Sequence, residues 1–186
     1  MSAHQASLPD SITDATAPPA FARVFEEQFS YVWSTLRRFG VAPSDVEDLT
    51  QEVFVRVHAR LIQYDPERPI RPWLFGIALG VASNHVRLAR HRNEVVAETT
   101  HVGDPSLGAD ECLAKVQERA LVHEALQSVP IHQRAVLILH EMDGCTIPDV
   151  AVALGIGLNT AYSRLRLGRE AFRTSMMRLL RRREVR

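Results

Sequence analysis

Several things are scarce in this chain, and each scarcity excludes a class of protein. Its 186 residues hold two cysteines, Cys112 and Cys145, with no CxxC or HxxxC pattern around either, so neither a disulfide framework nor a zinc cluster is signalled. His85 and His91 stand six apart, and His123, His132 and His140 lack any HExxH-type spacing; no metal, no cofactor and no enzymatic centre are expected. No apolar run approaches the roughly 18 to 20 residues that span a bilayer. The opening residues, MSAHQASLPD, lack the basic and apolar regions of a secretory signal. A cytoplasmic protein without membrane insertion is the expectation. No segment alternates apolar and polar residues as a strand does, so the fold class is read as all-α.

What is present is ordinary for a globular protein: 46% hydrophobic and 24% charged residues, enough to bury a core. Net charge is zero, but the charges are segregated. Nine arginines against two acids fall between Gly157 and Arg186, four arginines against none between Arg71 and Arg92, and four acids without a base between Ser44 and Phe54. Separate basic and acidic surfaces suit two partners of opposite charge. Lys115 is the single lysine, a bias that carries no functional weight.

Residues 1–17 are Ser, Ala, Thr, Asp and Pro without periodicity and read as a disordered tail. A first unit over 18–92 follows. Phe21, Val24, Phe25, Phe29 and Val32 give a helix to about Phe39, stopped by Gly40. Ser44 and Glu47 form a capping-box pattern opening a second helix, with Val46, Leu49, Val53, Val57 and Leu61 on its apolar face. After Pro66, Pro69 and Pro72, a third helix runs from about Arg71 to Arg92 with Leu74, Ile77, Val81 and Leu88 inward. Residues 93–110, with Gly103, Pro105 and Gly108, read as a flexible linker. The second unit, 111–186, has helical stretches at about 111–127, 130–142, 148–154 and 158–182, broken at Pro130, Gly144 and Gly155.

Three constellations carry chemistry. Thr146 and Asp149 make an N-terminal cap with Pro148 in the first turn, Gly155 closes that short helix, and Ala151 and Ala161 let the next one cross it closely, as in a helix-turn-helix. On the second helix Ala161, Leu165, Gly168 and Phe172 point inward, whereas Asn159, Tyr162, Ser163, Arg166 and Arg169 form an outer face able to read base edges. A hairpin with a solvated arginine face is the plainer alternative. Asp45, Asp48 and Glu52, beside Gln51, line one stripe of the second helix. Mutual repulsion of a few tenths of a kcal/mol per pair would be relieved by a basic partner, though solvation alone is an equal alternative. On the third helix Trp73, Gly80, Asn84, Arg87 and His91 share a stripe suited to stacking unpaired bases and holding phosphate, unless Trp73 is simply core.

The segments Asp45-Val-Glu-Asp-Leu-Thr-Gln-Glu-Val-Phe54, Arg71-Pro-Trp-Leu-Phe-Gly-Ile-Ala78, Leu126-Gln-Ser-Val-Pro-Ile-His-Gln-Arg-Ala-Val136 and Thr160-Ala-Tyr-Ser-Arg-Leu165 resemble, in order and spacing, the signatures of bacterial sigma factors of the extracytoplasmic-function (ECF) group. The resemblance covers about Phe21 to Arg173. It implies a sigma-2 and a sigma-4 domain, core RNA polymerase and promoter DNA as partners, a cognate anti-sigma factor, and no catalytic residues. By the same resemblance Asp45, Asp48, Gln51 and Glu52 meet the polymerase clamp helices. Trp73, Asn84, Arg87, Arg90 and His91 capture the minus-ten element, and Asn159, Thr160, Tyr162, Ser163, Arg164, Arg166 and Arg169 read the minus-thirty-five duplex. The chain departs from the pattern at Gly76 and Gly80, where Arg and Asn are usual, at Asn84, where Asp is common, and at Tyr162, where Lys or Arg is usual. For Gly80 two explanations stand open: weakened promoter melting, or close packing against a neighbouring helix. A conventional helix-turn-helix regulator acting alone is the main rival, opposed by the acidic stripe and the second basic helix.

Overall fold

The computed structural model describes residues 20–92 and 113–184; the expected tail and linker lie outside the described residues. Every regular element among the described residues is helical. Helix α1 (Phe21–Arg38), α2 (Val46–Arg60) and α3 (Ile70–Arg92) pack on one another, as do α4 (Leu113–Gln127), α5 (Ile131–Leu137), α6 (Ile147–Leu154) and α7 (Leu158–Glu184).

In the first group the apolar face expected of α2 is buried in full: Val46, Leu49, Val53, Val57 and Leu61 all face the core, with Leu74, Ile77 and Val81 of α3 opposite. Two expectations fail. Leu88 is 44% exposed: among the described residues the buried side of α3 ends at Val81 and Ala82. The capping box does not form either: Ser44 Oγ donates to Asp45 Oδ1 at 2.8 Å, and a turn bonding the Asp45 and Val46 amides to the Ala42 carbonyl leads into α2 in its place. On α1, Val24 and Val32 are buried, while Phe21, Phe25 and Phe29 gather around Phe54 at the rim, with Phe25 and Phe54 centroids 4.7 Å apart. Gly40 stops α1 with φ +88°.

The second group is built around α7. Thr146 Oγ1 accepts the Asp149 amide at 3.4 Å, Pro148 sits in the first turn of α6, and Gly155 ends that helix at φ +62°. Ala151 and Ala161 are buried where α6 crosses α7. Gly168 serves the other crossing, since a Cβ there would lie 3.1 Å from the Gln133 carbonyl oxygen of α5. The stretch expected as one helix over 130–142 is α5 followed by a π turn, Ile138–Met142, whose extra residue re-phases the chain so that Asp143 faces α1.

The two groups are not separate bodies. A single hydrophobic cluster runs from Val24 through Leu36, Phe75 and Leu126 to Leu165, and α3 packs on α6 as α1 does on α4. Nothing in the helical periodicities foretold this junction.

Candidate nucleic-acid and polymerase interfaces

Along α2 the acidic stripe is solvent-facing, as its offset from the buried valines requires. Asp48 and Gln51 are exposed, Asp45 and Glu52 half-buried. The repulsion inferred from the sequence is partly relieved by bases lying outside the eleven-residue window. Glu52 pairs with Arg56 one turn on, and His85 of α3 brings Nε2 to 3.2 Å from Asp45 Oδ2. Asp48 forms no ion pair among the described residues. Two apolar side chains overlooked in the sequence flank this stripe, Val55 at 69% and Ile62 at 80% exposure. They are the seven-residue repeat that falls off the buried face, which was the available signal. An acidic stripe with two bare aliphatic groups beside it offers a protein partner both charge and an apolar anchor.

Helix α3 divides its surface among three tasks. One side is core. Another faces α6, where Gly76 is essential to the geometry: a Cβ built on it would stand 2.7 Å from the Ala153 carbonyl oxygen, closer than real contacts come. The remaining stripe carries Gly80, Asn84 and Arg87, all exposed, with Arg87 Nη2 donating to Asn84 Oδ1 at 2.9 Å. Trp73 is half-buried and leans on Tyr64, ring centroids 5.0 Å apart, so it joins the turn before α3 rather than lying wholly in the core. The Tyr64 hydroxyl donates to the Arg68 carbonyl and fixes that turn. Around Gly80 there is open space, with no atom within 4 Å of an added Cβ. Helix packing therefore does not account for that glycine. Arg90 and His91 lie where side chains are outside the described residues.

On α7 the inward residues Ala161, Leu165 and Gly168 are buried and Phe172 partly so, which turns Asn159, Thr160, Tyr162, Ser163 and Arg166 to solvent. Arg164 is half-buried on the flank. Arg166 reaches Glu170 at 3.9 Å and stays 72% exposed at its side chain, whereas Arg169 donates from Nε to Glu141 at 2.7 Å. Arg169 is thus tied to the π turn and would have to release a carboxylate before meeting DNA. The result is a helix of about 40 Å whose first three turns present a polar and basic face shared with the exposed Leu158, Tyr162 and Leu167.

The strongest electrostatic perturbation lies away from these faces, at the junction. Arg134 is 6% exposed and has no carboxylate partner among the described residues; carbonyl oxygens of Val129, Gln127 and Arg38 and the Gln127 side-chain oxygen accept from it at 2.6 to 3.3 Å. Burial lowers its pKa to about 10, so it remains a cation at neutral pH, held by these carbonyl and amide dipoles. The Tyr31 hydroxyl donates to Asp143 Oδ2 at 2.8 Å, and burial together with that carboxylate raises its pKa far above the usual phenol value. Among the described residues no cluster of three or more His, Cys, Asp or Glu could hold a metal ion, and no helix is long and apolar enough to cross a membrane.

Comparison with known proteins places both helical groups. Residues 24–92 match the model of sigma-70 region 2 and residues 119–172 that of sigma-70 region 4. The chain is 30% identical over 168 residues to the ECF RNA polymerase sigma factor SigL of Mycobacterium tuberculosis, an alignment covering 89% of this chain and 94% of the relative. It is also 30% identical over 138 residues to the RNA polymerase sigma factor CnrH of Cupriavidus metallidurans, covering 69% and 72%. Among solved structures, the sigma factor RpoE of Bartonella quintana, in complex with the anti-sigma factor NepR, superposes with a TM-score of 0.66 at 17% identity, over 84% of this chain and 96% of the other. That likeness concerns the fold.

Proposed function

The chain belongs to the ECF sigma factors of the sigma-70 family, and from that premise we propose how its surfaces divide the work of transcription initiation. As a sigma factor it binds core RNA polymerase and directs promoter recognition and strand opening. Asp45, Asp48, Gln51 and Glu52, with Val55 and Ile62 beside them, dock on the polymerase. Trp73, Asn84, Arg87, Arg90 and His91 capture unpaired bases of the minus-ten element. Asn159, Thr160, Tyr162, Ser163, Arg164, Arg166 and Arg169 read the minus-thirty-five duplex from the major groove, with Arg169 contributing only once free of Glu141. All of this is recognition; none of these residues is assigned a catalytic step. The protein works in the cytoplasm, where its polymerase is, and a cognate anti-sigma factor restrains it, as NepR is bound to RpoE.

The observation that carries this reading is the presence, in order along one chain, of a region-2 match holding an exposed acidic stripe and a region-4 match holding an exposed arginine-bearing recognition helix. A duplex-binding regulator has no use for the first. The test is charge reversal: Asp48→Arg with Glu52→Arg is expected to abolish holoenzyme assembly while circular dichroism stays unchanged, because both side chains lie off the buried face. Assembly at undiminished affinity would remove the stripe from the polymerase interface.

A further inference from the structure

Two outer helix faces complement each other along their length. On α2, Asp48, Glu52, Val55 and Ala59 recur at spacings of three and four, and Ile62 in the following turn continues the row. The row begins acidic and ends aliphatic. On α7, Leu167, Thr174, Arg178 and Arg181 fall on one face, with Met177 beside them. That row begins apolar and ends basic. All of these side chains are exposed except Glu52, which is half-buried and shared with Arg56. Asp48, Arg178 and Arg181 form no ion pair among the described residues.

Laid antiparallel, the two rows match in register. Asp48 and Ile62 are fourteen residues apart, as are Leu167 and Arg181. Asp48 then stands opposite Arg181, Glu52 opposite Arg178, Val55 opposite Thr174 and Ile62 opposite Leu167, over about 21 Å of helix. The parallel arrangement would set the acids against Leu167 and the arginines against Ile62. Antiparallel packing also brings the N-terminus of α2 to the C-terminus of α7, where the helix dipoles attract. One chain does not make this pairing with itself, since both rows face solvent in it. A second copy can make it, and a net charge of zero leaves no overall repulsion between copies to oppose it.

We infer that these two faces are the halves of one self-association surface, through which a second copy of this chain covers the acidic row of α2. The consequence for function rests on the polymerase-docking role proposed for Asp48 and Glu52: self-association and holoenzyme assembly then exclude each other, and copies in excess of polymerase are held in reserve.

Sedimentation velocity of the full chain over a concentration series, under reducing conditions so that Cys112 and Cys145 cannot crosslink copies, tests this. The parent should sediment faster as concentration rises. At about 1 M salt, where charges are screened beyond about 3 Å, that rise should diminish. Asp48→Arg with Glu52→Arg should stay monomeric, and so should Arg178→Glu with Arg181→Glu, because each sets like charges opposite each other. An equimolar mixture of the two reversed chains should associate again, since the swapped charges match. Ile62→Ser should weaken association about tenfold through lost apolar burial. Core polymerase added to the parent should dissolve the association. A parent that is monomeric throughout, or reversed chains that do not associate with each other, overturns the proposal. So does an Arg178→Glu, Arg181→Glu chain that self-associates like the parent but loses duplex affinity, which would give the basic row to DNA phosphate. Failure of the polymerase-docking role looks different: Asp48→Arg with Glu52→Arg would still assemble holoenzyme, while its self-association would be lost all the same.

Discussion

The two helices assigned to DNA, α3 and α7, are built in opposite ways. Helix α7 has one buried face for most of its first five turns, centred on Ala161, Leu165 and Gly168, so everything on the other side is free to read a duplex. Helix α3 is flanked twice, by α1 and α2 on one side and α6 on another, and the stripe proposed to meet DNA is what remains between them. A helix with a single set of partners can afford side chains of any size on its open face. One held between two bodies is constrained by backbone approach, and Gly76 records that constraint. The contrast teaches that a departure from a family pattern carries different meaning on the two helices: Tyr162 stands on the open face of α7 and would change what the proposed reader meets, whereas Gly76 on α3 changes what can pack.

The contrast breaks if α7 does not depend on its single face. Leu165→Ala removes the centre of that face, a side chain 5% exposed, and is expected to destabilise the protein by about 2 to 5 kcal/mol with loss of duplex binding at ordinary temperature. Denaturant unfolding measures it. A change below about 1 kcal/mol would show that α7 is held elsewhere along its length.

A smaller effect sharpens the reading side. Arg166→Ala is expected to weaken binding to the minus-thirty-five duplex by about 1 to 3 kcal/mol and to relax preference at one base pair, because a guanidinium on the open face can bond guanine bidentately. The pair with Glu170 at 3.9 Å is too exposed to matter for stability, so thermal unfolding should not move. Equal weakening on every single-base variant, with a salt slope lower by about one, would make Arg166 a phosphate contact.

The same division explains what the sequence disclosed. Elements whose apolar residues face the core of their own helical group were legible: the buried stripe of α2, the Thr146 cap, the Gly155 turn and the inner face of α7 all lie where periodicity put them. Features that need a second body were not. Asp143, Tyr31, Arg38 and Arg134 look like unremarkable surface positions in the sequence, separated by roughly a hundred residues from the partners that give them meaning. The capping box failed for a local reason, because Asp45 competes for the Ser44 hydroxyl. Leu88 misled because periodicity continues along α3 beyond Val81 and Ala82, where its buried side ends among the described residues. On the candidate sites, exposure followed from the helical wheel, but the tie between Arg169 and Glu141 depends on a π turn that no pattern of residues announced.

The smallest expected effect separates the two glycines of α3. Gly76 is fixed by the Ala153 carbonyl, but Gly80, one turn later, faces open space, so nothing in the packing resists a side chain there. Gly80→Ala should therefore stabilise the helix by about 0.5 to 1 kcal/mol, the usual difference between the two residues in a helix interior. Gly80→Asn should stabilise less, since asparagine is a poorer helix former, but it adds a polar group to the stripe that carries Asn84 and Arg87. If the bare backbone at position 80 limits strand opening by offering nothing to a flipped base, only the asparagine variant gains open complex on weak promoters. If it does so by softening the helix, the alanine variant gains at least as much. Thermal melts paired with permanganate footprinting of the opened strand distinguish these outcomes, and a stabilised alanine variant with no gain in opening from either substitution would show that Gly80 does not limit melting.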